Sequence, residues 1–183
     1  TGMPCASIFF PMYQENEFIG VFAADLKLDY LQGMIDKYSD TKRKVISFII
    51  DGEGVVVAHP ESIQIQEQYN YKTLTKTVSL KDNDGKIRID TNGNIVTEEQ
   101  NFEISKDYQN IIKEVMTGNS GVKEITDHEK DYYVSYAPIT LKGESDSWSI
   151  ITLQEKSTAK ELLNRMIFIL VFIVSVAISG AII

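Results

Sequence analysis

The stretch that most constrains this 183-residue chain is its last eighteen positions, MIFILVFIVSVAISGAII from Met166 to Ile183, which carry no charge and two serines. A helix of that length rises roughly 27 Å, close to the hydrocarbon thickness of a bilayer. A helix buried in a soluble core seldom stays uncharged for so long, so the run predicts a transmembrane helix. Thr158 and Glu161 have capping-box spacing just ahead of it, and no proline or glycine lies between Ala159 and Gly180. The expectation is one continuous helix over 156–183 that leaves a folded domain and enters the membrane.

Residues 1–165 are soluble in character, and the chain has a formal charge of −8. No basic stripe exists to neutralise phosphates, which argues against a nucleic-acid partner. Cys5 is the single cysteine, so no internal disulfide is available and the fold rests on its core. No signal peptide opens the chain and Thr1 enters in mid-strand. The expectation is therefore a chain truncated at both ends.

Residues 6–13 and 18–28 read as two strands joined by the turn Gln14-Glu15-Asn16-Glu17. A helix follows, with capping-box spacing at Asp29 and Gln32 and an apolar face of Leu31, Met34, Ile35 and Tyr38. VISFIID and VVVAHP flank Gly52-Glu53-Gly54 as a second hairpin. Turn signals at Asp82-Asn83-Asp84-Gly85 and Asn92-Gly93-Asn94 predict a small β insertion within 61–100. Ser105 caps a predicted helix whose face is Tyr108, Ile111, Ile112, Val115 and Met116, with Gly118 just past its end. Three strands then follow: GVKEIT, DYYVSYAPI and SWSIITLQE. Helix, two strands, helix, three strands is the order of a PAS-like α+β domain with one antiparallel sheet.

Few residues invite a chemical role. His59 stands at a strand end before Pro60, and His128 in the turn Asp127-His128-Glu129-Lys130. Neither has a partner at metal-ligand spacing, so both are read as structural or solvated. Asp82, Asp84, Asp90 and Glu98 suggest calcium, but an EF-hand loop needs an oxygen ligand at position 1 when glycine holds position 6. Gly85 in that role places Leu80 at position 1, and Gly93 places Arg88 there. Both registers fail, and these residues are read as hairpin turns. Tyr132, Tyr133, Tyr136 and Trp148 are candidates for a pocket on the last sheet, against the commoner reading of strand aromatics as core. With no nucleophile elbow, phosphate loop or supported carboxylate pair, the expectation is a non-enzyme without metal or cofactor.

Several segments resemble the double Cache domain of bacterial chemoreceptors and sensor kinases. They are Phe18–Leu26 (FIGVFAADL), Phe48–Pro60 (FIIDGEGVVVAHP), Tyr133–Ile139 (YVSYAPI) and Trp148–Leu153 (WSIITL). The resemblance implies a PAS-like Cache fold. Residues 1–28 would be the last hairpin of a membrane-distal lobe, 29–155 a membrane-proximal lobe, and 156–183 the signalling and transmembrane helix. It also implies a small-molecule ligand, such as an amino acid, and a homodimer. In amino-acid-sensing members an aspartate at the end of the last distal strand pairs with the ligand's ammonium group, and Asp25 stands at that position. The alternative for Asp25 is a structural carboxylate that closes a turn or caps the following helix.

The function implied is that of the extracytoplasmic region of a methyl-accepting chemotaxis receptor in the plasma membrane. The same module on a histidine kinase or diguanylate cyclase is the alternative. A membrane-anchored enzyme or solute-binding protein is a third. Lys156, Lys160 and Arg165 flank the apolar run on the side read as external, and the resemblance sets that orientation.

Overall fold

Two long antiparallel strands open the structure, β1 (Cys5–Gln14) and β2 (Glu17–Lys27). The computed structural model describes residues 5–40, 42–141 and 146–181; side chains at 5, 6, 26, 162, 163 and 173–181 lie outside the described set. Glu15 and Asn16 turn the hairpin with φ of 51° and 68°. Positive φ at both central residues is the turn geometry that matches the strands' twist.

β2 passes directly into α1 (Leu28–Tyr38). The capping box expected at Asp29 and Gln32 does not form. The cap position is Lys27, which makes no side-chain cap bond. Gln32 instead donates to Asp36 and accepts the backbone N–H of His59 at 3.0 Å. Leu28, Leu31 and Ile35 form the buried stripe, while Tyr38, expected on it, is 69% exposed.

β3 (Val45–Ile50) and β4 (Val56–Ala58) form the next hairpin. Asp51 accepts the N–H groups of Glu53 and Val55 in its turn. Gly54 has φ +87°, and a Cβ there would lie 2.9 Å from the backbone nitrogen of Lys72, so only glycine fits this approach.

An insertion follows. It holds the short α2 (Ser62–Gln66), then β5 (Thr75–Ser79) paired with β6 (Thr97–Asn101). Between β5 and β6 the chain makes two smaller hairpins, bridged at Lys81–Ile87 and Ile89–Ile95. Leu80, Arg88 and Val96 close their junction with a ring of three backbone hydrogen bonds, each 2.9 Å. Asp82 accepts two turn N–H groups at 2.9 Å, and Asp90 two at 2.8 Å. Asp82 and Asp90 are turn formers, as read from the sequence, whereas Glu98, read as a turn residue with them, lies within β6 opposite Val78.

α3 (Lys106–Met116) starts at Ser105, whose hydroxyl accepts the N–H of Tyr108 at 3.3 Å. β7 (Gly121–Asp127), β8 (Lys130–Ile139) and β9 (Trp148–Glu155) complete an antiparallel sheet ordered β4-β3-β9-β8-β7. This is the α+β, PAS-like arrangement expected. One face packs Phe48, Ile50, Val134, Tyr136, Ile151 and Leu153 against Tyr108, Ile111, Ile112 and Val115 of α3. The other packs Ile49, Val57 and Ala58 against α1, with Trp148, Ile139 and Ile150 alongside.

β9, the middle strand, runs straight into α4 (Lys156–Ala181). Because the helix begins at Lys156, Thr158 lies inside its first turn and the capping box expected there is absent. Among the described residues no helix is long and apolar enough to cross a membrane. The run 166–183 extends into positions outside the described set.

Candidate functional site

Alternation along β1 and β2 gives the hairpin two apolar faces. Cross-strand pairs Phe9–Ala23 and Pro11–Val21 lie on one face, and Ile8–Ala24 and Phe10–Phe22 on the other. Asp25 ends the first of these faces, opposite Ser7, three residues before α1. It is exposed, and the Ser7 hydroxyl donates to it at 2.7 Å. It does not cap α1, whose cap position is Lys27. One carboxylate oxygen is engaged by a neutral donor, and no cation pairs with Asp25 among the ion pairs of the described residues.

The aromatic residues of β8 and β9 divide between the two faces of the sheet. Tyr136 lies in the core beneath α3, and its hydroxyl donates to Glu114 at 2.5 Å. That carboxylate also binds Lys123 at 2.5 Å. Lys123 first and Tyr136 second hold Glu114 below the usual carboxylate range. Trp148 packs in the α1-side cluster. Tyr133 lies on that same face, with the Lys156 ammonium 5.3 Å from its ring centre. Tyr133 and Trp148 therefore share a face that Tyr136 does not. Tyr132 lies with Tyr136 and borders the α3-side core.

The interior beneath α3 is filled with rings. Tyr71 stands 5.1 Å from Phe48, 5.3 Å from Phe102 and 5.9 Å from Tyr108, centre to centre. Burial pushes the hydroxyls of Tyr71 and Tyr108 well above the ordinary tyrosine range. Sequence reading missed Tyr71, which comes from the insertion, and Phe102, just past β6, because no periodicity marks either.

His59 is 3% exposed. Its Nδ1 accepts the N–H of Glu61 at 2.9 Å, and its ring lies 5.3 Å from Phe48. Desolvation lowers its pKa to about 4, so the ring is neutral with the proton on Nε2. His128 is exposed at φ 45° and bonded to Asp127, which raises its pKa. His59 is thus buried and hydrogen-bonded within the domain, and His128 is exposed in its turn beside Asp127. Among the described residues no group of three or more acidic, histidine or cysteine side chains is placed to hold a metal.

At the start of α4, Lys44 pairs with Glu155 at 2.9 Å, and Glu124 pairs with Lys156. The Ser157 hydroxyl and then Lys44 hold Glu155 below its usual range, and the Glu124 bond raises Lys156. Between α3 and β7 opens a cleft of about 410 Å³ lined by Asp107, Asn110, Lys113, Glu114, Lys123, Glu124 and Ile125. None of these pairings was visible in sequence, since each joins positions brought together only by strand register.

The family model for the Cache domain matches residues 1–163. No curated protein matches the chain. Among solved structures, it is similar to the periplasmic sensory domain of the Campylobacter jejuni chemoreceptor Tlp1, at 15% identity and TM-score 0.56, over 86% of this chain and 45% of that one. It is also similar to the extracellular domains assigned to two histidine kinases. For mmHK1S-Z3 the identity is 17% and the TM-score 0.55, over 87% and 47% of the two chains. For mmHK1S-Z2 they are 18% and 0.55, over 84% and 46%. The chain thus spans about half the length of these domains. At such identities the likeness speaks to fold alone; the match over residues 1–163 carries the assignment, and the chain belongs to the Cache domain family.

Proposed function

We propose that this chain is the extracytoplasmic small-molecule-sensing region of a methyl-accepting chemotaxis receptor. Residues 1–165 lie outside the plasma membrane, the run 166–183 crosses it, and the protein acts as a homodimer without catalysis. The observation that carries the reading is the join between β9 and α4. The middle strand of the sheet becomes a helix at Lys156 with no linker between them. A displacement of the sheet is then a displacement of the helix, where a flexible connection would absorb it. A ligand needs to favour one of two packings by only ~1–3 kcal/mol to make such a relay useful.

Cache membership supports a sensing role. Asp25 supports an amine-bearing ligand, because it is an exposed carboxylate at the end of an apolar strand face, held by one neutral donor. The same module on a histidine kinase is the second reading, favoured by the fold likeness to the mmHK1S domains.

Asn164→Pro tests the relay. Asn164 lies in α4 beyond the sheet and is exposed. Proline there removes a helix hydrogen bond at a cost of about 3 kcal/mol. In the full-length receptor, calorimetric titration with a panel of L-amino acids is expected to be unchanged, and the cytoplasmic output to be lost. Normal output from well-expressed Asn164→Pro protein would rule out a rigid-helix relay.

A further inference from the structure

Two ion pairs grip the point at which sheet becomes helix, and they pull from opposite sides. Glu155 ends β9 and is held toward β3 by Lys44, Nζ to Oε1 at 2.9 Å. The next residue, Lys156, is held the other way by Glu124 of the edge strand β7, and its ammonium also faces the Tyr133 ring of β8. The helix-side partners are well enclosed, with side-chain exposures of 13% for Glu155 and 18% for Lys156. Exposed pairs usually contribute little, but enclosure and a cation over an aromatic face both raise the contribution.

β7 has a second tie. Lys123, adjacent to Glu124 and on the opposite face, binds Glu114 of α3 at 2.5 Å, and Glu114 in turn accepts from Tyr136. One dipeptide of the edge strand therefore joins α3 on one side of the sheet to α4 on the other. Among the described residues β7 pairs with β8 alone, at the edge of the sheet, so it can shift without breaking the middle strands.

We infer that Lys44–Glu155 and Glu124–Lys156 form a two-sided ionic clamp that sets the angle at which α4 leaves the sheet. Edge strand β7, tied to α3 through Lys123, is the part whose movement re-aims the helix. The signalling meaning of the clamp rests on the proposed relay; its existence does not.

The test uses the full chain in detergent micelles with Cys5→Ser. Spin labels go on Asn119→Cys, just before β7, and Arg165→Cys on α4; both positions are exposed. The distance distribution is expected to be narrow. Glu124→Gln and Lys44→Gln are each expected to raise the minor helix orientation by about fivefold, the upper end of what one partly enclosed pair contributes. The charge swap Glu124→Lys with Lys156→Glu is expected to restore most of the narrow population. In 1 M salt, where the screening length falls to about 3 Å, the unsubstituted clamp is expected to broaden as well. That arm leaves both ion pairs unsubstituted. Equal distributions in every arm, or a swap as broad as the single change, overturn the clamp. A re-aimed helix in a receptor with unchanged output would count against the relay and leave the clamp standing.

Discussion

In the five-stranded sheet, Phe48, Ile50, Val134 and Ile151 are fully withdrawn from solvent, whereas in the β1–β2 hairpin Phe9, Phe10, Phe18 and Phe22 stand between 56% and 65% exposed. Both regions have long apolar strands. They differ in what faces them. Each side of the sheet has a helix with a matching stripe, α3 on one and α1 on the other. Apolar residues on both faces are the pattern of strands buried on both sides, and a lone two-stranded ribbon is marginal in water. The hairpin is thus written for surroundings that the sheet makes for itself.

Core truncation separates the two regions most sharply. Phe48→Ala removes a ring that contacts His59 and Tyr71 in the closed core. It is expected to cost about 3–5 kcal/mol of unfolding free energy, read by chemical denaturation in mild detergent. Phe10→Ala, which removes a ring of the same size, is expected to change stability by less than about 0.5 kcal/mol. Comparable losses at both sites would break the contrast and show that the hairpin is part of the same cooperative unit.

Acid is expected to act next most strongly, through the buried His59 of the sheet domain. His59 is neutral when folded because burial lowers its pKa from 6.5 to about 4. The unfolded chain therefore binds the extra proton between those values. The stability contributed by the neutral ring is fully present above pH 6.5 and is lost as pH falls toward 4, by at most about 3 kcal/mol. His59→Asn keeps a short side-chain acceptor two residues before Glu61 and removes the titration. Denaturation midpoints measured from pH 7 to pH 4.5 are expected to fall for the parent and stay nearly level for the variant. Parallel curves would show that His59 does not titrate on unfolding.

What was legible in the sequence follows the same division. Strand alternation, the Ser105 cap and the Gly118 stop are local signals, and they located β1, β2, β3, α3 and the last three strands. The capping boxes at Asp29 and Thr158 failed for a common reason. In each place a strand turns into helix without a break, so Lys27 and Glu155, the strand ends, occupy the cap position. Tyr38 fits the helical period, but only its backbone meets the sheet, its carbonyl accepting from the Ser47 hydroxyl of β3, and its ring is left exposed. The aromatic filling by Tyr71 and Phe102, and the ion pairs around α4, depend on register and on an insertion with no periodicity. Asp25 was singled out by resemblance, since a carboxylate at a strand end has no local signature of ligand binding.

Asp25 is also where the smallest structural effect and a decisive functional one are expected together. Its side chain is exposed and accepts one hydroxyl bond from Ser7, which water can replace. It does not cap α1. Asp25→Ala is therefore expected to move stability by no more than about 0.5 kcal/mol. If Asp25 receives the ammonium of an amine-bearing ligand, the same change removes a charge-assisted hydrogen bond, typically ~1.5–3 kcal/mol, and weakens affinity by more than tenfold. The parent and Asp25→Ala receptors, titrated with the same L-amino acid panel and melted side by side, give both quantities. Unchanged affinity with a large fall in melting temperature would make Asp25 a structural carboxylate. That result would also move the hairpin from the functional side of the comparison to the structural one.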